Sequence, residues 1–156
     1  MENYMKLEIS ALGENEGFAR NAVAAFALCL NPSLGELSDV KTAVSEAVTN
    51  SIVHAYGGGD ATARIWIECR AEPVKAGGVL HITITDSGCG IEDVERAMQP
   101  FFTTLENEER SGMGFTIMQT FMDGFSLTSE RGRGTTVTMS RTIEGAPQTE
   151  KERMDA

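Results

Sequence analysis

The chain has 156 residues, 41% of them hydrophobic, enough for one core and too few for two ordinary domains. Its 13 Lys and Arg against 23 Asp and Glu leave a net charge of -10, which repels nucleic acid and anionic membranes and favours a small-molecule or protein partner. No apolar run is long enough to cross a bilayer, and the first residues, Met1 to Lys6, lack the basic-then-apolar order of a signal peptide, so a cytoplasmic protein is expected.

Residues 5–10 alternate apolar and polar side chains, which predicts a half-buried strand. Phe18, Val23, Phe26, Ala27 and Leu30 then recur at helical spacing until Asn31 and Pro32 stop them, and a second helix is expected from about residue 37 to 55. On that helix Glu46, Asn50 and His54 are four residues apart, a drift of about 40° per step, while Val40, Val44, Val48 and Ile52 make its core face. Gly57, Gly58 and Gly59 end it, either as a left-handed cap or as a place where a ligand approaches the backbone.

Residues 63–69 and 79–85 are rich in strand formers and read as an antiparallel pair around Pro73, Gly77 and Gly78, with His81 facing solvent. Between residues 99 and 112 periodicity disappears into a polar loop of functional length, a lid. Helical spacing returns at 114–122, and two strands, 125–129 and 135–139, flank Gly132 and Gly134. Cys29, Cys69 and Cys89 are odd in number and lack metal-ligand spacing, so free thiols are expected; Cys89 fills space in a glycine motif or senses oxidation there. The charged end containing Pro147 predicts a frayed tail, giving a domain over 1–142 and a disordered tail over 143–156.

Three motifs carry chemistry. A magnesium ion bridging phosphates keeps several waters, so one amide oxygen, Asn50, suffices to hold it, and Glu46 one turn earlier can then take a proton from an attacking hydroxyl. Asp86 closes an apolar strand and opens Gly88-x-Gly90, where a buried carboxylate needs donors such as the exocyclic amine of adenine. Gly112-x-Gly114 precedes a helix whose free N–H groups suit phosphate. Taken singly, each also reads as a solvated helix face or an ordinary turn.

The order Glu-x3-Asn-x3-His, Asp-x-Gly-x-Gly, polar loop, Gly-x-Gly and a final Gly134-Thr135-Thr136 strand resembles the Bergerat-fold ATP-binding superfamily, which includes gyrase, histidine kinases and MutL. Within it, Phe18-Ala19-Arg20, the run from Ser45 through Glu46, Asn50 and His54 to Tyr56, Pro100-Phe101-Phe102-Thr103-Thr104, and Arg110-Ser111-Gly112-Met113-Gly114-Phe115 are similar to the anti-sigma factor serine kinases of spore-forming bacteria. That resemblance implies an α/β two-layer sandwich, with a mixed, mainly antiparallel sheet and helices on one face. It implies ATP or ADP and magnesium as ligands, with a sigma factor, an anti-sigma factor antagonist phosphorylated on serine, and a second copy of the chain as partners. By position, Glu46 is the base, Asn50 the magnesium ligand, and Asp86 the adenine reader. His54, Ala55, Gly88, Gly90, Ile91, Thr104, Ser111, Gly112, Met113, Gly114, Phe115 and Thr135 complete the nucleotide site, and Arg20 contacts protein partners.

The chain departs from the resemblance at Leu105, where the family often has a basic residue after Thr-Thr; Arg110 is the nearby alternative for the terminal phosphate. Rival readings are a histidine-kinase catalytic domain, which needs an upstream phosphoacceptor hairpin, and a gyrase-like ATPase, which needs a transducer domain. A nucleotide-gated binding protein without phosphotransfer is the third, and it leaves Glu46 idle.

Overall fold

A computed structural model of the chain describes residues 1–99 and 114–146. Strand β1 (Asn3–Ala11) leads into α1 (Asn15–Ala27), a 3₁₀ turn (Leu28–Leu30) and α2 (Leu34–Asn50), which widens into a π turn (Ser51–Ala55). Then follow β2 (Asp60–Pro73), β3 (Gly78–Asp86), the short α3 (Val94–Ala97), α4 (Gly114–Phe121), β4 (Gly124–Glu130) and β5 (Gly134–Ile143). The strands make one sheet in the order β1-β2-β3-β5-β4, and all four pairings are antiparallel, so the mainly antiparallel sheet expected from the sequence has no parallel pair among the described residues.

The two-residue period of the strands makes the sheet two-faced. On β3, Leu80, Ile82 and Ile84 are buried while Val79, His81, Thr83 and Thr85 between them are only half-buried. The buried set joins Ile65, Ile67, Val137 and Met139 in a core that Val40, Ala43, Val44, Ala47 and Val48 of α2 cover from the helical layer. The opposite face carries Lys6, Glu68, Arg70 and His81; His81 Nε2 lies 3.4 Å from Glu72.

Helix α2 begins three residues before its expected start because Ser33 and Glu36 form a capping box: Ser33 Oγ accepts from Glu36 N–H at 3.2 Å, and Glu36 Oε2 accepts from Ser33 N–H at 2.8 Å. Ser33→Ala should therefore lower stability by about 1 kcal/mol, read as a shift in urea midpoint without a change in slope. Arg141 of β5 fixes the two helices that matter for the site. Its guanidinium pairs with Asp39 of α2 at 3.0 Å and donates to the Phe121 carbonyl at the end of α4 at 2.6 Å.

The segment expected to fray from Glu144 is tied down as far as Ala146. Glu144 N–H donates to Glu36 Oε1 at 2.7 Å and Ala146 N–H to the Asn31 carbonyl at 2.7 Å. Cys29, Cys69 and Cys89 are free thiols; burial pushes that of Cys69 up to about 12, which makes it inert. Among the described residues no helix is long and apolar enough to cross a membrane.

Candidate functional site

Helix α2 brings Glu46 and Asn50 to one point, the start of α4. A Cβ placed on Gly114 would stand 2.9 Å from Asn50 Nδ2, 3.2 Å from Asn50 Oδ1 and 3.3 Å from Glu46 Oε2. A side chain at 114 would push the Asn50 amide aside, so glycine lets α4 begin beside these two groups, and the first N–H groups of a helix have no partner within it. The expected association of the first and third motifs thus has a physical cause in one missing side chain.

His54 lies on the π turn after Asn50 and not on the α-helix expected to run to residue 55. The chain leaves the α-helix at Asn50, and the wider π turn changes the angular step before His54 is reached. The same turn puts Ser51, a buried hydroxyl on the otherwise apolar face, against Asp86: Ser51 Oγ donates to Asp86 Oδ2 at 3.0 Å. Sequence reasoning assigned Ser51 nothing; the available signal was a hydroxyl placed between Val48 and Ile52, since a buried hydroxyl needs a partner.

Asp86 is 5% exposed and also accepts from Gly88 N–H at 3.1 Å and Thr135 N–H at 3.2 Å, both at Oδ1. Burial raises its pKa above the ordinary aspartate value in spite of these donors, which pull the other way. An ionised carboxylate has about four acceptor positions, so one remains open at Oδ2 for a further donor. A group that donates N–H there relieves the burial penalty.

The glycine loop after Asp86 is clamped on two sides. Cys89 N–H donates to the Ala55 carbonyl at 3.4 Å, and Gly88 lies too close to Ala55 for any side chain. Gly90 has φ +73 and backs onto the Glu130 carbonyl, so both its conformation and its space demand glycine. Ile91 N–H donates to Ser129 Oγ at 2.7 Å, and that hydroxyl lies 2.7 Å from Thr135 Oγ1. Tyr56, also unassigned from sequence, accepts from Ser87 N–H and donates to the Arg64 carbonyl, both at 2.8 Å. Its ring hydroxyl pins the loop's first residue to β2.

Asp86, Gly88, Gly90, Ile91, Ala55 and Thr135 are therefore one connected unit. Gly114 with Glu46 and Asn50 makes the other, and α2 with its π turn links the two. The Phe115 ring packs on the core, its centroid 6.1 Å from that of Phe125, so what it offers a ligand is backbone. Thr104, Leu105, Arg110, Ser111, Gly112, Met113 and the rest of the expected lid from Pro100 onward lie outside the described residues.

Arg20 on α1 pairs with Glu16 at 3.4 Å and lines a cleft that reaches Glu46. For magnesium the donor fits: the amide oxygen of Asn50 is a hard ligand, and it stands beside Gly114 at the start of α4. Among the described residues no three His, Cys, Asp or Glu gather as an all-protein metal site.

Residues 9–141 match the model of the histidine kinase-like ATPase domain. The chain is 50% identical over 143 residues to the anti-sigma F factor of Geobacillus kaustophilus, covering 92% of this chain and 94% of that protein. It is 50% identical over 141 residues to the anti-sigma F factor of Clostridium botulinum, covering 90% and 94% respectively. A solved structure of RsbU and RsbW domains from Mycobacterium tuberculosis superposes with a TM-score of 0.63 at 16% identity, over 94% of this chain and 34% of that one; it shares the fold.

Proposed function

The chain belongs to the anti-sigma F factor family, within the histidine kinase-like ATPase domains, and from that premise we propose that it is a cytoplasmic, ATP-dependent protein-serine kinase. It also sequesters a sigma factor, works as a homodimer, and phosphorylates a serine of an anti-sigma factor antagonist. The observation that carries this reading is the meeting of Glu46, Asn50 and the start of α4 at Gly114, with the Arg20 cleft opening onto the same carboxylate.

Asp86 takes the adenine amine at its remaining acceptor position, and the first-turn N–H groups of α4 face the phosphates. Asn50 would hold a magnesium ion, which when bound neutralises phosphate charge, and Glu46 is left to accept a proton. In the transfer, the serine oxygen forms a bond to the terminal phosphorus as the bond from that phosphorus to the bridging oxygen breaks. Glu46 receives the serine proton and ADP leaves.

Gating follows from the reading that the ATP and ADP forms present different surfaces to the protein partners. A nucleotide biases partner choice only through its differential affinity for two surfaces, and the coupling is reciprocal. Calorimetry with a sigma factor should show tighter binding in a non-hydrolysable ATP analogue than in ADP, and sigma factor should raise affinity for the analogue by the same factor. Equal sigma affinity in the two nucleotides at fixed salt contradicts the gating.

A further inference from the structure

The cleft beside the site has a regular construction. Leu34, Leu37, Ser38, Lys41, Thr42, Ser45 and Glu46 recur at steps of three and four, so they form one stripe along α2, and Arg20 of α1 walls its other side. The cleft encloses about 440 Å³ and runs from the apolar Leu34, which is 87% exposed, to the Glu46 carboxylate. Ser38, Thr42, Glu46 and Asn50 are successive steps of one row, so the stripe leads directly into the nucleotide site.

One cation of the cleft, Lys41, stands opposite in sign to the molecule as a whole. In a chain of net charge -10, Arg20 and Lys41 both line the cleft, against the single carboxylate of Glu46. Glu16 pairs with Arg20 and offsets its charge, while Asp39 is engaged by Arg141 and Glu36 caps α2, so Lys41 is the cation that none of these three carboxylates answers. Among the described residues Lys41 makes no ion pair or side-chain hydrogen bond. A lysine without a partner, half-buried between hydroxyls and leucines, presents its ammonium to whatever enters.

We propose that this cleft is the docking groove for the substrate segment that bears the acceptor serine, and that Lys41 selects an acidic residue close to that serine. The inference rests on the kinase reading above and deepens it. At 1.5 Å per residue the stripe from Leu34 to Glu46 is about 18 Å long, room for about five extended residues. Lys41 lies roughly 7.5 Å along the helix from Glu46, so the acidic residue stands about two positions from the serine, and an apolar residue farther out rests on Leu34 and Leu37.

The test compares parent, Lys41→Ala and Lys41→Glu, using as probe the antagonist protein that the parent phosphorylates. Lys41→Glu should raise KM for that protein by about tenfold or more at low salt, with kcat and ADP affinity unchanged, since removing an attraction and adding a repulsion act on docking alone. Replacing the substrate's acidic residue by Lys should restore docking to the Lys41→Glu variant. The groove is refuted if the parent is active and KM stays within twofold in both variants, or if Lys41→Glu changes ADP affinity and not KM, which would assign Lys41 to the nucleotide. Removing residues 147–156 should leave KM unchanged; if it lowers KM while Lys41→Glu has no effect, the occupant is the chain's own end. A parent that phosphorylates no serine fails the kinase reading itself and takes the groove with it.

Discussion

Glu46→Gln should slow phosphotransfer by roughly 10²–10⁴-fold, the usual contribution of a positioned acid or base. The amide keeps the shape of the carboxylate against Gly114, so the start of α4 stays where it is. Nucleotide affinity should change little, because Asp86 and its hydrogen-bonded loop are untouched. Binding by calorimetry and single-turnover phosphotransfer then separate. A variant that retains a rate within a few-fold of the parent removes Glu46 as the base and favours the reading in which nucleotide only gates protein binding.

Asp86→Asn should weaken ATP and ADP equally, by about 1.5–3 kcal/mol for the loss of a charge-assisted hydrogen bond, which is roughly ten- to more than a hundredfold in affinity. Both nucleotides present the same adenine amine. GTP should bind poorly to the parent, since guanine places a carbonyl where adenine has its amine and two acceptors then meet. Equal ATP and GTP affinities refute the assignment.

A pH dependence accompanies it. Burial raises the Asp86 pKa, while an amine donor favours only the ionised form, so nucleotide binding should release a proton. Affinity should fall as pH drops through a value above the ordinary aspartate range, and Asp86→Asn should abolish that slope.

The parts of the site that follow from periodicity were legible in the sequence. Glu46 and Asn50 on one row, the core face of Val40, Val44 and Val48, and the alternation that pairs β2 with β3 all depend on local spacing, and all stand as read. The position of Asp86 at the end of an apolar strand also declared itself, because a carboxylate there needs donors.

What was not legible depends on contacts between distant segments. The π turn that carries His54 and brings Ser51 to Asp86 leaves no mark in hydrophobic spacing, since its apolar residues are the same as those of an α-helix. The earlier start of α2 was written locally, in Ser33 and Glu36, and was missed because the apolar pattern begins only at Leu37. Gly114 reads from sequence as a phosphate-binding glycine, and it also makes room for Asn50 and Glu46, which are more than sixty residues earlier. Arg141 gives no local signal of binding both α2 and α4, and the cleft between α1 and α2 is visible only once the two helices are side by side.

The most direct measurement is incubation of the protein with labelled ATP, magnesium and an anti-sigma factor antagonist, followed by mapping of the label by mass spectrometry. The account requires phosphate on a serine of the antagonist, none on this chain's histidines, and loss of the label with Glu46→Gln. An antagonist that stays unlabelled while it and the sigma factor still bind in a nucleotide-dependent way would contradict it, and would leave a nucleotide-gated binding protein in its place.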